Sequence, residues 1–136
     1  MTTQELKNRT FEFAVRVISA VEALPKTETA RILGRQLLRA GTSVGANYRA
    51  ACRGRSKAEF VAKMGIAEEE ADESAYWMEV IIEGELLKRK QVEPLLTEAE
   101  ELTKIFAQSR ISASRTLVRT AKRQASNRQS AIGNRQ

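Results

Sequence analysis

The chain contains no histidine and one cysteine, Cys52. Without histidine there is no Ser-His-Asp or Cys-His catalysis, no Glu-x-x-His di-iron bundle and no imidazole-bound metal. A lone cysteine cannot close an intramolecular disulfide or build a zinc site. It lies near the apolar side of a helical stripe and reads as a small buried residue. Prolines number two and glycines seven, and most of them punctuate helices. No apolar run approaches the ~18 residues of a membrane-spanning helix. The opening Met1-Thr2-Thr3-Gln4-Glu5 lacks the basic-then-apolar pattern of a secretion signal, so a cytoplasmic location is expected. What remains is 136 residues, 42% apolar, which suffices for one helical domain. No cofactor is expected.

The net charge of +6 conceals a segregation. Residues 1–25 are neutral, 26–63 carry +7, 64–101 carry −9 and 102–136 carry +8 with no acid at all. The second and third blocks nearly cancel, as neighbouring helices or subunits often do. The last block has no acidic block left to face, which makes it the better candidate for a polyanion contact.

Helical periodicity runs from Leu6 to about Leu117, and no stretch alternates like a strand. Leu6, Thr10, Phe13, Val17, Ala20, Val21 and Leu24 fall on one stripe, and Pro25 ends that helix. Thr27 caps the next, whose stripe is Leu33, Leu37, Ala40, Val44, Tyr48 and Ala51. Gly41-Thr42-Ser43-Val44-Gly45 is poor helix-forming material, and a loop there would split the helix. The stripe keeps phase across the glycines, so one long helix is predicted. Ser56-Lys57-Ala58-Glu59 is a capping box that opens a third helix to about Lys88, with Lys88-Arg89-Lys90 favoured by its dipole. Glu93-Pro94 opens the fourth, with proline in the first turn. The expectation is all-α: an up-down-up-down antiparallel four-helix bundle over residues 1–120. Residues 121–136 carry too little apolar surface to repay ordering and are expected to form a disordered basic tail.

Three runs together carry a resemblance. They are Gln36-Leu37-Leu38-Arg39-Ala40-Gly41-Thr42-Ser43-Val44-Gly45-Ala46-Asn47-Tyr48-Arg49-Ala50, Arg55-Ser56-Lys57-Ala58-Glu59-Phe60, and Glu68-Glu69-Glu70-Ala71-Asp72-Glu73-Ser74-Ala75-Tyr76-Trp77. Over about residues 6–120 the chain resembles the bacterial four-helix-bundle proteins encoded in intervening sequences of large-subunit ribosomal RNA genes. The resemblance implies a four-helix bundle assembling into a homopentameric ring. It also implies a distant similarity to the accessory variability determinant of retroelements, which binds nucleic acid through a basic surface. It supplies no catalytic residues, and the chain is not expected to be an enzyme.

Two basic sets are candidates for RNA or DNA contact, since arginine pairs well with phosphate. The first is the stripe Arg31, Arg35, Arg39, Arg49 and Arg53, which spans roughly an 80° arc opposite the apolar side of its helix. Its alternative is a solvated face paired with the acids of the third helix. The second set is Arg115, Arg119, Lys122 and Arg123, with Arg128 and Arg135 beyond. Few aromatics interleave with either, so base stacking is not expected. Glu69, Glu70 and Glu73, with Glu98 and Glu101, are the enzyme-like pattern: facing carboxylates can hold magnesium, as in helical nucleotide pyrophosphohydrolases. Accidental spacing within an acidic segment paired with arginines is the competing reading. Tyr76 and Trp77, about 100° apart on a helix, suit a subunit interface. Gly41 and Gly45 mark close helix packing, within or between subunits, and no Gly-Lys-Ser/Thr follows to make a phosphate loop.

Overall fold

In the computed structural model, which describes residues 1–133, hydroxyl side chains start the first three helices. α1 (Thr3–Glu22) follows Thr2, α2 (Glu28–Cys52) follows Thr27 and α3 (Lys57–Glu83) follows Ser56. Each hydroxyl accepts a backbone N–H three residues on, from Glu5 at 3.0 Å, Ala30 at 3.2 Å and Glu59 at 3.1 Å. Such caps satisfy donors orphaned in the first turn and are worth about 1 kcal/mol each. The box predicted at Ser56 is displaced by one residue: Glu59 Oε2 accepts from the Arg55 N–H at 2.8 Å.

The junction between the last two helices differs from the sequence expectation. α3 stops at Glu83, because Leu86 N–H turns back to the Ile81 carbonyl and Glu85 N–H to that of Ile82, both at 3.0 Å. These two bonds satisfy the last carbonyls of α3, with Glu85 at φ 59 in the left-handed position usually held by glycine. α4 (Arg89–Gly133) begins a turn before Pro94. Gln91 fixes that start, accepting from Lys88 N–H at 3.0 Å while its own N–H donates to the Lys88 carbonyl at 2.9 Å. Lys88-Arg89-Lys90 therefore opens α4 instead of closing α3, against the helix dipole, and Arg89 answers with a 2.9 Å ion pair to Glu83.

Each helix packs on its neighbour in sequence and α4 closes onto α1, while the backbones of the diagonal pairs α1/α3 and α2/α4 stay apart and meet only through core side chains, as Tyr48 and Phe106 do with ring centroids 5.8 Å apart. This is the up-down-up-down bundle. Its axis is filled by Phe13, Leu37, Met64, Met78, Leu102 and Phe106, all but inaccessible to solvent. α2 is unbroken through its glycines, as the phase of its stripe predicts. A Cβ on Gly41 would stand 2.7 Å from Val17 Cγ2, and one on Gly45 would stand 3.2 Å from Thr10 Oγ1. Both glycines thus seat α1 against α2 within one chain, the first of the two kinds of packing expected of them, and not as the subunit contact. At the α1/α4 seam, Arg9 forks onto Glu98 at 2.6 and 2.8 Å and also reaches Glu101.

Residues 121–133, expected to be disordered, are helical. Ala, Lys, Arg and Gln are adequate helix formers, no proline intervenes, and a helix already nucleated in the bundle propagates without a new nucleation cost. The expected division at 120 is accordingly not a break in the chain's structure. Burial supplies the real boundary: Leu117 is half-buried, and every residue from Val118 to Gly133 is exposed. Residues 118–133 therefore project from the bundle as an arm of about 24 Å. Arg135, counted among the tail cations, lies outside the described residues.

Candidate nucleic-acid interface

The arm leaves the end of the bundle where α1 begins, α2 ends and α3 begins. Thr3, Cys52, Gly54, Phe60 and Ser109 surround one concavity there, which fixes the level at which α4 departs. Arg115 just before the arm and Arg119, Lys122, Arg123 and Arg128 along it are exposed, and none has an acidic partner among the described residues. The fully helical rise carries them over about 20 Å. Two exposed cations of the α2–α3 turn, Arg55 and Lys57, share this end of the bundle. Sequence reasoning missed both, because the cap they flank spoke for structure and not for charge. Two acids are also here, Glu5 and Glu59, each held on a backbone N–H as part of a cap.

The α2 stripe does not act as one surface. Arg39 donates to Glu73 at 2.8 and 2.9 Å and lies 3.8 Å from Glu70, so the helix-to-helix pairing has claimed it. Arg31 is paired with Glu28 a turn away, and Arg35 is exposed near the same far end of α2. Arg49 and Arg53 are exposed at the end from which the arm projects. The structure thus brings Arg49 and Arg53 together with the arm cations, and leaves Arg31, Arg35 and Arg39 apart from them.

The acids offered as a magnesium site do not converge. Glu70 and Glu73 turn to α2 and Arg39, whereas Glu98 and Glu101 turn to α1 and Arg9. Among the described residues, no cluster of three metal-binding side chains exists. Burial, with Glu73 beside it, pushes the Glu70 carboxyl upward against the pull of Arg39, and its Oε2 has no hydrogen-bond donor. Ion pairs between helices explain the acidic run: Arg110 on α4 likewise holds Glu68 of α3 at 2.6 Å.

Tyr76 is 56% exposed on α3, while Trp77 is half-buried against the core with its indole N–H unpaired; the two rings meet edge to face at 5.0 Å. That is the order expected for consecutive helical positions. Other apolar side chains stay on the surface, including the row Phe11, Val15 and Ile18 of α1. Among the described residues, no helix is long and apolar enough to cross a membrane.

Residues 2–108 match the family described as 23S rRNA-intervening sequence protein. The chain belongs to that family. A crystal structure of an S23 ribosomal protein family member of unknown function, from Bacteroides thetaiotaomicron, is similar at 34% identity and a TM-score of 0.75. The match covers 81% of this chain and 98% of that one. Among curated proteins, none is significantly similar in sequence. The family match ends at Gln108, so the last turns of α4 in the bundle and the arm with its cations lie beyond the matched residues.

Proposed function

We propose that this protein is a non-catalytic, self-assembling bundle of the cytoplasm that binds RNA through phosphate contacts from the α4 arm and the adjoining α2–α3 turn. The observation that carries the reading is the arm itself: a solvated helix with four cations, Arg115 just before it, and no acid anywhere after Glu101. An acid-free cationic helix repels itself and costs stability, so its charge calls for a polyanion. Arginine-rich helices gain affinity by releasing the counterions condensed on phosphates, and they read shape more than sequence. A scarcity of aromatics near the arm agrees with backbone contact in place of base stacking. Self-assembly is supported by the surface apolar row of α1 and by Tyr76, with the homopentameric ring as the expected form.

The test is fluorescence anisotropy of a labelled structured RNA with the full chain across a salt series. Each phosphate contact contributes roughly 0.7–0.9 to the slope of log affinity against log salt. Arg119→Ala with Arg123→Ala is expected to lower that slope by about 1.4–1.8. A slope unchanged by the pair would contradict the reading.

A further inference from the structure

The arm carries a second pattern besides its charge. Ile111, Val118 and Ile132 are 40%, 51% and 65% exposed, and they stand at intervals of seven and fourteen residues. Ala125 fills the intervening heptad position, and Ser114, Ala121 and, farther out, Arg128 stand at the three-residue offsets between them. A narrow seam repeating every seven residues is what one helix presents to another in knobs-into-holes packing. Among the described residues, nothing in the same chain covers it beyond the bundle end.

The outer face of α3 has the matching pattern. Ile66 and Tyr76 are 37% and 56% exposed, with Val80 half-buried, at alternating offsets that keep them on one row. Glu69, Asp72 and Glu79 lie along that row and have no cationic partner among the described residues. On the arm, Arg115 and Lys122 flank the seam. The α3 row from Ile66 to Glu83 is about 26 Å long and the seam from Ile111 to Ile132 about 32 Å. An arm cannot reach the α3 row of its own chain. Arg110 stands opposite Glu68 in antiparallel helices, so Val118 is level with the start of α3, about 24 Å short of Tyr76.

We propose that the arm's apolar seam docks on the outer face of α3 in a second copy of this chain, with Arg115 and Lys122 meeting its unpaired acids. The two surfaces differ, so the contact is head-to-tail and propagates until it closes into a ring. Around the helix from Val118, Arg119 lies about 100° and Arg123 about 140°, and both stay open to phosphate. Arg115 and Lys122 are shared by the two readings, so the docking is tested without nucleic acid, and the RNA reading on Arg119 and Arg123.

The test needs no nucleic acid. In a Cys52→Ser background, Val118→Cys and Tyr76→Cys are introduced singly and together, and the full chain is oxidised under native conditions. The double variant is expected to give a disulfide-linked ladder of multiples of 15.2 kDa, whereas each single variant, with no partner cysteine at the contact, stays monomeric. A double variant that stays monomeric, or single variants that cross-link as readily, overturns the docking. A charge exchange checks it independently: Glu79→Lys and Lys122→Glu are each expected to weaken association about tenfold, with recovery when combined. Losses that simply add would remove the proposed pairing.

Discussion

A methyl group on Gly41 would lie 2.7 Å from Val17 Cγ2, and Val17 is fully buried with nowhere to move. Gly41→Ala gains about 1 kcal/mol of helix propensity but overpacks the α1/α2 contact by about 1–3 kcal/mol. The expected net is a loss of about 1 kcal/mol in denaturant unfolding. At Gly65 the nearest atom to an added Cβ is Arg110 Cδ at 3.5 Å, an ordinary contact. Gly65→Ala should therefore stabilise by about 0.5–1 kcal/mol, and equal signs for the two would contradict this packing. Tyr48 supplies a pH dependence. Burial, with Cys52 close by, pushes its phenol from 10.0 up to about 12. Below the ordinary value the phenol is neutral in both states. As the pH rises from there towards about 12, the unfolded chain ionises and the folded one does not, so stability is lost across that window. Tyr48→Phe is expected to flatten the alkaline limb of the stability curve.

Among the elements, the turn between α3 and α4 holds a strained residue. Glu85 occupies the left-handed position of a helix-ending turn that glycine adopts without penalty. Glu85→Gly should raise stability by about 0.5–1 kcal/mol, read from the unfolding midpoint at constant m-value. This turn was also where the sequence was least legible. Lys88-Arg89-Lys90 suits a helix C-terminus, and Pro94 suits a helix start, yet Gln91 pulled the start of α4 back beyond both. Caps built on Thr27 and Ser56, and the stripes of α1 and α2, were legible because hydroxyl caps and apolar spacing act locally. The arm was not. Its apolar content is low, and a count of apolar residues hides that the few present repeat every seven. Which arginines stay free was equally hidden, since Arg39 is claimed by acids 34 residues away in the chain.

At the scale of the whole molecule, the charge blocks resolve into two kinds of contact. Some of those of α2, α3 and the bundle part of α4 pair across helices, through Arg39, Arg110 and Arg9. Those of the arm have no acidic partner among the described residues, and they lie beyond Gln108, where the family match stops. The bundle holds nearly all of the family match, and the arm adds a cationic surface beyond the matched residues. Residues 118–133 bury nothing in the bundle, so a chain stopped at Leu117 should keep the core intact and melt like the full chain. Its RNA affinity, measured between 50 and 200 mM salt, is the most direct test. Arg119, Lys122, Arg123 and Arg128 together account for roughly a hundredfold fall in affinity across that range. The account predicts that the shortened chain binds weakly and loses most of this salt dependence. A shortened chain that binds as tightly, with the same salt slope, would contradict it.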